Sequence, residues 1–292
     1  MANTINPAAH PSHHTERRHV RLEGGDFAVL ALHGLRSTPL ELQPVLKALH
    51  AAGMTVEAPH MSGYGFSAKP DTGPWRHWLN EALVHFDELA KNHAQVAVCG
   101  LSMGATLALA VAAERAQKVA AVAAFSTTLY YDGWNTPWYR FLRPLGYYTP
   151  LRHKFVVRES DPYGIKNLRL REWIARQVAA GPLSAIGATT LTLPALHQAE
   201  KLMRHTRRHL GDIVAPSLIL HSSADDVASL KGAHMVQRRI RANDVRLVQL
   251  HDSYHMITLD NERDHVAALT VNFFNDYRQI ENAAQTTAAI AV

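Results

Sequence analysis

Cysteine is nearly absent from this 292-residue chain: Cys99 is the only one, so no intramolecular disulfide can staple the fold. A lone thiol suits a reducing compartment, and a cytoplasmic location is the expectation. Long apolar runs are missing too. The most apolar stretch, residues 105–125, is broken by Glu114, Arg115, Gln117 and Lys118, whereas a membrane-crossing helix needs roughly 20 consecutive apolar residues. Residues 1–26 lack the apolar centre of a secretion signal and are rich in His, Pro, Asn and Arg, which predicts a flexible leader. Its His13, His14 and His19 could hold a metal weakly, but a merely solvated tail is the favoured reading. Nothing else has the spacing of a ligand set, so no metal and no organic cofactor is expected.

What is present is apolar content in short pieces. Hydrophobic residues make up 47% of the chain and charged ones 19%, enough to bury the core of one large domain. Strands are predicted at 27–32, 55–58, 95–99, 119–125, 217–221 and 246–250, and helices at 38–52, 75–91, 103–116, 229–241 and 263–277. The first helix carries start signals: Thr38 as N-cap, Pro39 in the first turn and Glu41 as the returning carboxylate of a capping box. This alternation predicts an α/β protein on a doubly wound, mostly parallel sheet. The rhythm breaks over 127–211, where helical patterns at 168–179 and 194–209 indicate a helical lid inserted between core segments 27–126 and 212–279. Residues 280–292, rich in Ala and Thr, are expected to form a flexible tail.

Between a predicted strand and helix stands Gly100-Leu101-Ser102-Met103-Gly104. It matches a nucleophile elbow, a tight turn that pushes a serine hydroxyl outward and leaves no room for a Cβ at either glycine. Alone the pentapeptide is a weak signal; the strand before it and the small-residue helix after it favour the elbow over an ordinary glycine turn. A serine hydroxyl needs a base and the base an orienting acid, in the chain order Ser, acid, His. The strand at 217–221 leads into Ser222-Ser223-Ala224-Asp225-Asp226-Val227, and that at 246–250 into His251-Asp252-Ser253-Tyr254-His255. Asp225 is the expected acid, with Asp226 as the fallback. His255 is the expected base in preference to His251, which adjoins the strand end. A developing oxyanion requires preorganised N–H donors. Met103, directly after the serine, and Leu35, in the loop after the first predicted strand, are the candidates, with Gly34 allowing a close approach. A plain turn would also explain His33-Gly34.

These segments, with His33-Gly34-Leu35-Arg36-Ser37-Thr38-Pro39, Gly63-Tyr64-Gly65 and Ser253-Tyr254-His255-Met256-Ile257-Thr258-Leu259-Asp260, resemble bacterial α/β-hydrolases of the carboxylesterase and monoacylglycerol lipase group. The resemblance implies the α/β-hydrolase fold, Ser102, Asp225 and His255 as a catalytic triad, and Leu35 and Met103 as oxyanion donors. It also implies hydrolysis of a carboxylic ester through an acyl-enzyme, without a cofactor. Two departures stand out. Ala105 occupies a position where the group commonly has Gly, and the insertion is longer than the compact caps of these lipases, so substrate identity does not carry over with the fold.

The insertion has its own composition. Residues 129–148 hold eight of the chain's 22 aromatics, and Tyr130, Trp134 and Trp138 are expected to form an apolar wall for the substrate, with lid packing as the alternative. Residues 127–211 carry 13 Lys and Arg against 5 Asp and Glu, a net +8 in a chain of net +5. No nucleic-acid motif accompanies this charge, so no nucleic-acid partner is expected. It fits a solvated face, transient contact with anionic membrane lipids, or a clamp for the phosphate-bearing carrier of a thioester. The expected function is therefore ester hydrolysis on a small-molecule substrate, with acyl thioester hydrolysis as the alternative. A ligand-binding protein on a hydrolase scaffold is a further alternative, though such proteins typically lose the acid or the base. The oligomeric state is left open.

Overall fold

Every residue from Phe27 to Leu32 is buried, which a strand achieves only inside a sheet covered on both faces. Ala28, Leu30 and Leu32 face one apolar cluster, while Phe27, Val29 and Ala31 face a second on the opposite side. The computed structural model describes residues 19–66, 73–153, 155–158, 160–181, 183–184 and 187–290, and the expectations for His13 and His14 lie outside them.

In chain order the first half contains β1 (Val20–Leu22), β2 (Gly25–Leu32), α1 (Gln43–Ala51), β3 (Met54–Ala58), α2 (Trp75–Asn92), β4 (Gln95–Leu101), α3 (Met103–Glu114) and β5 (Val119–Phe125). The insertion follows, with α4 (Arg143–Tyr147), β6 (Val156–Arg158), α5 (Leu168–Ala180), β7 (Leu183–Ser184), β8 (Gly187–Ala188), β9 (Thr190–Thr192) and α6 (Leu193–His209). The chain then returns through β10 (Ser217–Ser222), α7 (Leu230–Arg239), β11 (Val245–Leu250) and α8 (Arg263–Ile290). Seven strands form the main sheet in the order β1-β3-β2-β4-β5-β10-β11. All neighbours are parallel except β1, which runs antiparallel to β3. The connection from β2 leads to one side and that from β4 to the other, so a crevice opens at the carboxyl ends of these two central strands.

The doubly wound sheet agrees with the sequence expectation, and three local differences have physical causes. Val20–Leu22 lies in the expected leader, yet pairs with Val56–Ala58 and extends the sheet at its edge. The helix expected from Thr38 begins as a 3-10 turn over Pro39–Leu42 without a Thr38 side-chain cap, and the Glu41 carboxylate turns inward to Gly34 and Ser37 in place of completing a capping box. Within the expected lid, α6 buries Leu196, Ala199, Leu202 and Met203, and the last three join the cluster that packs α2 and α3 against the sheet. Its apolar stripe thus makes α6 a covering layer of the core. The final helix runs past the expected end at 277 to Ile290.

Candidate active site

Ser102 is held at φ 59° and ψ −117°, a conformation L-residues rarely adopt. The neighbouring glycines explain how the turn fits. A Cβ on Gly104 would lie 2.0 Å from the Leu32 carbonyl oxygen, and one on Gly100 would lie 2.4 Å from the backbone of Gly104. The elbow therefore sits directly against the end of β2, with Ser102 N–H donating to Phe125 O on β5 at 2.9 Å. The helix that follows, α3, is buried from Met103 to Ala112. Its many alanines allow it to nest among β4, α2 and α6.

Two returning loops meet the serine. The Ser102 hydroxyl oxygen lies 2.8 Å from His255 Nε2, and His255 Nδ1 lies 2.8 and 2.9 Å from the two carboxylate oxygens of Asp225. Asp225 also accepts the Val227 and Ala228 N–H groups at 2.9 and 2.8 Å, which fixes its carboxylate. Burial alone would lower the His255 pKa, but the charge and hydrogen bond of Asp225, with smaller effects of Asp226 and Glu41, raise it above the ordinary value. Burial would raise the Asp225 pKa, and the His255 charge and hydrogen bond turn the net shift downward. Asp226 points elsewhere: its Oδ2 accepts the Gly164 N–H at 3.2 Å, and among the described residues its Oδ1 has no partner. Burial raises its pKa. His251 is exposed and lies 3.1 Å from the Ser223 hydroxyl.

The loop after β2 brings Gly34 against the elbow, where an added Cβ would be 3.7 Å from Ser102 Cβ. Among the described residues, the backbone N–H groups of Leu35 and Met103 have no hydrogen-bond partner, and both residues line the same cavity as Ser102. His33 braces this loop. Its Nδ1 donates to Gly34 O at 2.8 Å, its Nε2 accepts the Met61 N–H at 3.2 Å, and burial lowers its pKa to about 3, so it is a neutral strut. Tyr64 adds a second tie by donating its hydroxyl to His33 O at 2.7 Å.

Sequence reasoning read Glu41 as a helix cap and missed its place beside the site. Its carboxylate accepts the Gly34 N–H and the Ser37 hydroxyl, and its backbone oxygen accepts from Thr258 Oγ1 at 2.7 Å, on the loop that carries His255. Burial pushes its pKa up to about 7 against these hydrogen bonds. The capping-box pattern pointed to the right polar side chain but the wrong partner. Thr128 was also missed; its hydroxyl lies 3.2 Å from that of Ser102. Only its position shortly after the end of β5 could have marked it.

A cavity of about 300 Å³ opens over Ser102 and His255. Leu35, Met103, Val157, Leu191, Leu196 and Met256 give it apolar walls. Of the expected wall of Tyr130, Trp134 and Trp138, none lines the cavity, whereas Tyr131 does. Tyr130 faces the guanidinium of Arg207 and the ammonium of Lys231. Trp134 donates to Ala224 O at 2.9 Å behind the Asp225 loop, and Trp138 is 79% exposed. The cause is backbone pairing, since Gly133 and Asn135 donate to Val227 O and Asp226 O and set the direction in which this segment faces. Among the described residues no group of His, Cys, Asp and Glu could hold a metal ion, and no helix is long and apolar enough to cross a membrane.

The doubly wound sheet, the strained serine turn and the Ser-His-Asp chain built at the ends of β4, β10 and β11 are the architecture of an α/β-hydrolase. The chain belongs to the hydrolase family described as "Serine aminopeptidase, S33", whose model matches residues 26–263. It is 26% identical over 264 residues to a thermostable monoacylglycerol lipase of Bacillus sp. (strain H-257), covering 86% of this chain and 92% of that one. It is 23% identical to a carboxylesterase of Bacillus subtilis (strain 168), covering 83% and 89% of the two chains. Among solved structures it is similar to the monoacylglycerol lipase of Paleococcus ferrophilus, with a TM-score of 0.72 and 17% identity over 90% of this chain and all of that one.

Proposed function

We propose that the protein is a serine hydrolase that cleaves carboxylic esters with an apolar acyl or alcohol part. In this reading Ser102 is the nucleophile, His255 the general base and Asp225 the residue that orients His255, while the Leu35 and Met103 N–H groups receive the oxyanion. His255 takes the proton from Ser102 as its oxygen attacks the carbonyl. It then protonates the departing alcohol, leaving an acyl-enzyme that water hydrolyses. The observation that carries the reading is the unbroken hydrogen-bond chain from the Ser102 hydroxyl to Asp225, opening into a cavity beside two N–H groups that have no partner among the described residues. Similarity to a monoacylglycerol lipase and a carboxylesterase supports the ester as the bond broken.

The insertion around 127–192 acts as the lid of this site, and Tyr131 replaces the three aromatics first expected to meet the substrate. A cytoplasmic location is part of the proposal, in keeping with the buried Cys99 thiol, whose pKa burial pushes up to about 12. Labelling with a fluorophosphonate and turnover of 4-nitrophenyl esters test the assignment together. The wild type should be labelled stoichiometrically and S102A neither labelled nor active. Full labelling of S102A would refute the role of Ser102.

A further inference from the structure

Between apolar side chains the cavity is lined by more arginines than carboxylates. Arg36, Arg143 and Arg158 line it together with Ser102 and His255. Arg36 is half-buried beside the loop that carries Leu35, and burial pulls its pKa down, the sign of a cation drawn partly out of water. Arg143 stacks 5.5 Å from the centre of the Tyr131 ring and pairs with Glu200 at 3.3 Å. Arg158 stands exposed on β6, at the rim. Two acids line the same cavity, and among the described residues Asp226 keeps one oxygen without a partner. Glu41 accepts from Gly34 and Ser37, and one oxygen of Asp226 accepts from Gly164. In sequence the insertion has the same bias, residues 127–211 carrying 13 Lys and Arg against 5 Asp and Glu.

We propose that the ester taken by this site bears an anionic group, a carboxylate or a phosphate, which Arg36, Arg143 and Arg158 receive as the carbonyl reaches Ser102. This rests on the ester-hydrolase reading above and narrows its substrate class. Planar guanidinium groups pair bidentately with carboxylates and phosphates, and a partly desolvated cavity strengthens such pairs. The surrounding positive field would also concentrate an anionic substrate at the mouth.

Matched esters test it. Eight-carbon 4-nitrophenyl esters that differ at the far end, the octanoate, the monoester of suberate and the 8-aminooctanoate, place no charge, a negative charge and a positive charge in the acyl arm. The pair 1-octanoylglycerol and its 3-phosphate does the same for the alcohol arm and for phosphate. In at least one arm the anionic member should have a kcat/KM about tenfold above its neutral partner at low salt, and the advantage should shrink as salt screens it. R158E, altered at an exposed rim position, should bring that ratio towards one. The arm that shows the preference tells whether the anion sits on the acyl or the alcohol side. Equal rates within both arms would overturn the anionic class while leaving ester hydrolysis standing. Preference for the amine-bearing ester would also overturn it and would point to the unpartnered oxygen of Asp226. Failure to cleave any of the five would overturn the ester reading and this one with it.

Discussion

His255 is pulled in two directions. Burial disfavours its imidazolium, and the Asp225 carboxylate stabilises it more strongly, so the net shift is upward from the ordinary value of 6.5. A general base works in its neutral form. Activity of the free enzyme should therefore fall as pH drops through a midpoint above 6.5, read from kcat/KM against pH. D225N removes the stabilising charge and leaves the burial, so the same midpoint should move down. The substitution also favours the wrong tautomer, and kcat/KM should drop about 10⁴-fold at its optimum. A D225N enzyme with an unmoved acid limb would show that the limb belongs to another group, with Asp226, Glu41 and His221 as titratable neighbours.

At the scale of elements, the elbow depends on what its glycines lack. A Cβ at position 104 would fall 2.0 Å from Leu32 O, a backbone atom of the central strand that cannot step aside alone. G104A should thus cost at least about 1–3 kcal/mol in denaturant unfolding and depress activity by shifting α3 from β2. A105G, one position on and fully buried in the same helix, changes only intrinsic helix preference and the loss of one methyl group, for about 1–2 kcal/mol. The same scale separates the aromatics of the insertion. W138S, at a 79% exposed position off the cavity, should leave hydrolysis of a short ester unchanged within about twofold, whereas Y131A should alter KM and acyl-length preference. Equal effects of the two would return the apolar wall to Trp138.

The contrast between core and insertion shows what was legible in the sequence. The core strands declared themselves because burial on both faces leaves unbroken apolar runs, and the order Ser102, Asp225, His255 follows from strand ends that the parallel topology must bring together. Asp225 and Asp226 are adjacent and chemically identical, so only the direction each side chain takes separates them. Of the aromatic run after β5, Tyr131 lines the cavity and Tyr130, Trp134 and Trp138 do not, a distinction that goes with the pairing of Gly133 and Asn135 to the Asp226 loop and leaves no trace in residue type. Strands β6 to β9 are two or three residues each, too short for any periodicity to register.

Across the whole molecule the buried titratable groups that shape the site also set how stability responds to pH. Glu41 has a folded pKa raised from 4.5 to about 7, so between those values the native state holds a proton that the unfolded chain releases. Its contribution to stability therefore falls as pH rises through that window and stays lost above it. His33 works in the opposite sense, with a folded pKa of about 3 against 6.5 unfolded. The unfolded chain gains a proton there that the native state refuses, so stability falls as pH drops below 6.5. In the wild type these two slopes oppose each other over the range where they overlap. E41Q keeps much of the shape and the acceptor for Gly34 and Ser37 but removes one slope. Its Tm relative to wild type should accordingly be higher at pH 8 than at pH 5, measured by thermal melts across that range. A difference in Tm that does not change with pH would mean that Glu41 is ionised in the folded protein throughout, making it a fixed charge beside His255 in place of a group that titrates near neutrality.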